Sequence, residues 1–239
     1  MSPFPLLYVL VFEILACNVR AHPSIPGIVL PGSSSPLPVI SAYADDTSFV
    51  LSPNLPISAV LDVYRLYEKG SGAKLNLSKC EGLWLGAWSA RSDCPVAISW
   101  PSTMIKVLGI FLSPGDLSET NWRPRITAVM NVLNSWRQRS LSYGGRALFV
   151  NALTLSRVWY VASLIHVPRW VMSELNSLIF KFFLAGKRDL VARKFVVQPP
   201  CLGGFSMINV QSKVHALHVH WVRRFLCSPS SWVSFEFLV

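Results

Sequence analysis

The run Leu37-Pro38-Val39-Ile40-Ser41-Ala42-Tyr43-Ala44-Asp45-Asp46-Thr47-Ser48-Phe49-Val50-Leu51 decides how this chain is read. Apolar and β-prone residues flank two adjacent carboxylates, the pattern of a tight hairpin with the acids at its tip. Two like charges side by side build a poor core. They suit a divalent cation, because hard cations such as Mg²⁺ take oxygen ligands and leave positions open for phosphates. A solvated turn is the plain alternative, so the surrounding chain has to carry the choice.

Outward from the hairpin, charge is unevenly spread over the 239 residues. Residues 1–99 hold six Lys/Arg and seven Asp/Glu, a net of −1, while residues 100–239 hold sixteen and five, a net of +11. A basic second half in which arginine outnumbers lysine points to a polyanionic partner, since guanidinium binds phosphate bidentately. The five cysteines (Cys17, Cys80, Cys94, Cys201 and Cys227) are odd in number and unpaired in spacing, which suits a reducing compartment and neither a disulfide framework nor a zinc ribbon. The apolar stretch Pro5 to Leu15 is broken by Glu13 and too short to span a bilayer, and no basic residue precedes it as in a signal peptide. No membrane partner and an intracellular location are expected, and oligomeric state is left open.

In chain order, Ser2 to Asn18 reads as a helix with a stripe of Leu7, Leu10, Val11, Ile14 and Leu15. Residues 22–38 are Pro-, Gly- and Ser-rich, a loop with room for a short strand at Ile28-Val29-Leu30. Asn54-Leu55-Pro56 starts a second helix that Gly70 ends. Strands are expected around Leu83-Trp84-Leu85 and over Lys106 to Leu112, giving an antiparallel sheet with both helices on one face. From Trp122 the period is helical: Trp122, Ile126, Val129, Leu133 and Trp136 share a face, and Gly144-Gly145 breaks the helix. Further helices are expected over Arg146 to Leu164, Val171 to Leu184 and Val210 to Leu226. The tail 228–239 is expected to be poorly ordered. Trp84, Trp88 and Trp100 could stack on bases, with core packing the better reading. His215, His218 and His220 lack the spacing of a metal site.

Together these segments resemble the reverse transcriptases of non-long-terminal-repeat (LINE-type) retrotransposons. Tyr43-Ala44-Asp45-Asp46 looks like palm motif C, and Ser71-Gly72-Ala73-Lys74-Leu75-Asn76-Leu77-Ser78-Lys79 looks like motif D, with its Asn-x-x-Lys strand. Ser2-Pro3-Phe4-Pro5-Leu6-Leu7-Tyr8 matches the end of motif B. Val107 to Leu112 resembles the strand that grips the primer. Trp122 to Trp136 and Leu141-Ser142-Tyr143-Gly144-Gly145-Arg146 resemble the thumb, and Gly203-Gly204-Phe205 the region after it. The resemblance implies an α+β fold: a partial polymerase palm over 1–115, a helical thumb over 116–166 and a helical connection region over 167–227.

The resemblance also implies the chemistry. Two-metal nucleotidyl transfer needs carboxylates to clamp both cations. Asp45 and Asp46 would hold Mg²⁺ or Mn²⁺, Asp45 as the more direct ligand, and Lys79 would assist the leaving pyrophosphate. Tyr43 and Arg123, Arg125, Arg137, Arg139 and Arg146 would contact nucleic acid. Partners would be an RNA template, a DNA primer and deoxynucleotides. The family's third carboxylate lies in motif A, upstream of motif B, and Asp62, Asp93 and Asp116 have neither its order nor its context. The expectation is therefore a fragment of an RNA-directed DNA polymerase that is inactive alone. A catalytically dead nucleic-acid-binding remnant and a small secreted or membrane-associated protein are the alternatives.

Overall fold

A computed structural model of the chain describes residues 4–28, 39–44, 46–52, 57–186 and 192–227. The fold is α+β, with eight α-helices and two separate two-stranded antiparallel sheets among the described residues. The chain divides into two compact units after Gly115. Among the described residues no single helix is long and apolar enough to cross a membrane. Asp45, the expected helix start at Asn54-Leu55-Pro56, Val29-Leu30 and the tail 228–239 lie outside the described residues.

The first unit contains α1 (Phe4–Ala21), β1 (Ile40–Tyr43), β2 (Asp46–Phe49), α2 (Ile57–Ser71), β3 (Ile105–Val107) and β4 (Ile110–Leu112). Its core joins Leu15, Ala16 and Val19 of α1 to Val39 and Ile40 and to Ala59, Val60 and Val63 of α2. Spacings of three and four residues put each helical set on one face, and each fully buried Leu, Ile or Val contributes roughly 1.5–3 kcal/mol. This corrects the expected stripe of α1. Leu15 is buried, but Leu7, Leu10, Val11 and Ile14 stay exposed, because the face that meets α2 is offset toward the helix C-terminus.

Three further expectations change here. The single antiparallel sheet is two hairpins, β1–β2 and β3–β4, that do not pair with each other. The apolar run Lys106 to Leu112 is not one strand. Leu108 and Gly109, at φ +47° and +85°, fold it into a hairpin that pairs Val107 with Ile110. Leu83-Trp84-Leu85 is not a strand either, since the nearest ladder contact is a lone parallel bridge from Glu81 to Ser99. The Trp100 ring lies where a side chain on residue 82 would go, so only Gly82 permits the close approach. Trp84 stacks on Trp100 with centroids 5.0 Å apart, and Arg91 lies over Trp84 at 4.4 Å. The Asn-x-x-Lys strand expected in motif D is a 3-10 turn over Leu77–Lys79.

The second unit is helical: α3 (Ser118–Trp136), α4 (Tyr143–Phe149), α5 (Ser156–Leu164), α6 (Arg169–Phe183), the short α7 (Arg193–Val197) and α8 (Val210–Cys227). Between α4 and α5 the backbone widens into a π-turn, Val150–Thr154. Gly144-Gly145 does not break a helix but opens α4, where Ser142 Oγ caps by accepting from the Gly145 N–H at 3.2 Å. The expected face of α3 is buried at Trp122, Ile126, Val129 and Leu133. It packs on α5 and α6, and all share one core with Val171, Leu175, Ile179, Phe183, Met207 and Val210.

Polar clamps join these helices end to end. Trp122 Nε1 donates to the His166 carbonyl at 3.1 Å. His218 and Trp221 of α8 contact the Ala162 and Ser163 carbonyls at the end of α5, at 2.9 and 2.8 Å. These last-turn carbonyls have no intrahelical partner, so the side chains satisfy them. Asn151 in the π-turn donates to the Ser206 carbonyl and accepts from the Ile208 N–H, both at 2.9 Å.

Candidate nucleic-acid interface

The β1–β2 hairpin is built as its sequence pattern requires. Ile40 faces Phe49 at the core end, and Tyr43 faces Asp46 at the tip. Ala44, next in the chain after β1, has a left-handed φ of +53°, as tight hairpin turns favour. The Tyr8 hydroxyl of α1 donates to the Ala44 carbonyl at 2.9 Å and ties the tip to the helix. Tyr43, at 72% relative exposure, projects away from the core, and Asp46 is exposed beside it.

The donor set around this tip does not complete a cation site among the described residues. Asp46 is one carboxylate, its neighbour Asp45 lies outside the described residues, and no three His, Cys, Asp or Glu side chains converge anywhere else among them. Lys79 ends the 3-10 turn of the first unit with its side chain exposed. Nearby, burial raises both the Cys80 thiol and the Tyr64 hydroxyl above their ordinary pKa values. Neither group gains a charge at neutral pH.

The five arginines expected to contact nucleic acid do not share one place. Arg123 on α3 is committed within the protein. It donates to both carboxylate oxygens of Glu119, at 3.0 and 3.1 Å, and to Glu174 of α6 at 3.2 Å, and it lies 4.6 Å over the Trp170 ring. The Glu119 hydrogen bonds hold its guanidinium above the ordinary pKa. Arg125 lies half-buried on the same helix.

Arg137, Arg139 and Arg146 converge instead, where α3 and α6 both end. Arg146 donates to the Leu141, Phe182 and Phe183 carbonyls at 3.2, 3.1 and 3.3 Å, closing the last turn of α6. Arg139 lies 4.1 Å over the Trp136 ring, which itself stacks on Phe149 at 4.4 Å. Lys181 completes the group from α6. Sequence reading missed it, because a lone lysine among Phe180, Phe182 and Phe183 reads as the wet edge of a core helix. Its only signal is position, in the last turn of α6.

No protein-family model matches the chain. Over 230 residues it is 28% identical to the uncharacterized 149 kDa protein of transposon TX1 from Xenopus laevis. That alignment covers 94% of this chain and 17% of the relative, so the chain corresponds to a minor part of a much longer protein. The chain is similar along nearly its whole length to a transposon-encoded protein, and that likeness supports a transposon origin.

Proposed function

We propose that the chain is the palm-hairpin and thumb portion of a retrotransposon reverse transcriptase, an RNA-directed DNA polymerase. The observation that carries the reading is the hairpin tip: within Tyr43-Ala44-Asp45-Asp46, the described residues Tyr43 and Asp46 pair across the strands and are both exposed. The transposon relative supports the ancestry, and a basic helical unit following the hairpin supports the binding of a template–primer duplex. Asp45 and Asp46 would supply two of the oxygens that a Mg²⁺ or Mn²⁺ takes, and Lys79 would face the departing phosphates. The described residues add no third ligand, so the reading rests on nucleic-acid binding. Its partners are an RNA template, a DNA primer and deoxynucleotides, met inside the cell.

A second reading, a binding segment without catalysis, is favoured by the cation cluster at the ends of α3 and α6, which needs no metal to hold a phosphate backbone. Primer extension on an RNA template with the whole chain separates the two. Incorporation that Asp46→Asn removes supports a polymerase. Duplex binding without incorporation supports the second reading. If the chain fails to bind an RNA–DNA hybrid, or binds it with no dependence on salt, both are wrong.

A further inference from the structure

The cleft between the ends of α3 and α6 encloses about 90 Å³, room for several waters and so for the oxygens of one phosphate. Arg137, Arg139, Arg146 and Lys181 line it, Trp136 and Phe182 form apolar walls, and among the described residues no acid contributes to the lining. The ordinary explanation is that these cations answer the negative ends of two helices. Magnitudes decide against it as a full account. Each helix terminus offers roughly half an elementary charge, so two termini offset about one of the four cations. Arg146 answers the α6 terminus through the Phe182 and Phe183 carbonyls, while its third bond goes to Leu141 between α3 and α4, so about three of the four charges stay unmatched by the helix ends. Arg137, Arg139 and Lys181 face a shared space with no counter-charge among its described lining residues.

We propose that this cleft is a phosphate-binding pocket and that a nucleic-acid backbone supplies the phosphate. Guanidinium groups give forked donors that match phosphate oxygens, and Lys181 adds a point charge. Arg139 is held in place on Trp136, so little side-chain freedom is lost when it binds. The apolar walls exclude water from one side, which strengthens each charge–phosphate contact. Only the source of the phosphate rests on the function proposed above. The pocket itself does not.

The test uses the whole chain, the double variant Arg139→Gln/Lys181→Gln, and Arg157→Gln as a control on the exposed side of α5. Both pocket side chains are exposed, so their replacement leaves the core intact, which circular dichroism checks. Arg146 is left alone because it closes α6. Anisotropy of a labelled RNA–DNA hybrid is followed across a KCl series, and each lost backbone contact lowers the slope of log affinity against log salt by about 0.9. The expected result is a slope smaller by about 1.8 in the double variant and unchanged in the control. In a second arm, inorganic phosphate is titrated while the Nε–H signals of Arg137 and Arg139 are followed by NMR. Phosphate-dependent shifts with an unchanged hybrid slope support the pocket but assign it a free phosphate. Such shifts without any hybrid binding leave the pocket standing and sink the polymerase reading. An unchanged slope together with silent arginine signals overturns the pocket, whatever the hybrid does.

Discussion

Gly203 and Gly204 adjoin in sequence, yet the structure gives them different reasons to be glycine, and a pair of substitutions separates those reasons. Gly203 sits at φ +77° with no heavy atom within 4 Å of where a Cβ would stand, so Gly203→Ala meets only the left-handed backbone penalty, about 1–2 kcal/mol. Gly204 is outside that backbone region, but a Cβ there would lie 1.9 Å from the Gln198 carbonyl oxygen and 2.6 Å from that of Phe195. Both obstacles are backbone, so no rotamer change relieves them. Moving the two strands of chain apart would break the Ser206 N–H bond to Gln198 at 2.8 Å and those of Phe205 and Met207 to Val196 at 3.2 Å. Three such bonds at roughly 1 kcal/mol each give a cost of about 3 kcal/mol, before any loss of Met207 from the core. Urea unfolding followed by tryptophan fluorescence reads this directly. With a typical denaturant slope, Gly204→Ala lowers the midpoint by on the order of 1–3 M, well beyond Gly203→Ala. If the two midpoints fall together, the close approach does not hold this turn and the argument fails.

Ser142→Ala removes the side-chain cap of α4 and is expected to cost about 1 kcal/mol in the same unfolding assay, with Ser142→Asn restoring most of it. Asn151→Ala breaks both bonds of the π-turn to residues 206–208 and costs about 2 kcal/mol, seen also as faster amide exchange at Ile208. The Ser118 hydroxyl, and then its N–H, hold the Asp116 carboxyl below its ordinary pKa. That stability is present above the ordinary carboxylate range and is lost as pH falls through the depressed folded value. Asp116→Asn therefore flattens the loss of stability below about pH 4, measured as unfolding midpoints in acid. Tyr8→Phe frees the Ala44 carbonyl and is expected to speed exchange of the hairpin amides around Tyr43 while leaving the global unfolding midpoint within about 1 kcal/mol.

Long periodic segments were legible and short ones were not, for a physical reason. The buried face of α3 is set by five residues at helical spacing, and Trp122, Ile126, Val129 and Leu133 are buried as that spacing requires. The β1–β2 hairpin was legible because alternation on both sides brackets the acids, although Asp46 opens β2 opposite Tyr43. Leu108-Gly109 hid the second hairpin, since a leucine at a positive φ contradicts the usual turn composition and the flanking strands are only three residues each. Leu83-Trp84-Leu85 shows the converse. Its alternation is real, but alternation names a face and not a partner, and here Trp84 finds the Trp100 ring instead of a neighbouring strand. On α1, five apolar positions offered a stripe, and of these only Leu15, toward the C-terminal end of the helix, became core.

The arginines carry the harder lesson, because spacing along a helix cannot say where a charge is answered. Arg123 and Arg137 both read as polar-face residues of one long helix. Arg123 meets Glu119 one turn earlier and Glu174, fifty-one residues away in sequence. Arg137 instead stands at the helix end, where three more cations gather from α4, α6 and the intervening loop. A carboxylate pair screens the first at close range, so its contribution to long-range attraction of a polyanion is small. The second group is screened chiefly by salt, whose reach is about 8 Å at physiological strength. Electrostatic attraction by this unit therefore originates at the joint of α3 and α6 more than along the face of α3. A backbone phosphate should meet the unit end-on at that joint, and charge removal there should slow association with a hybrid more than Arg123→Gln does.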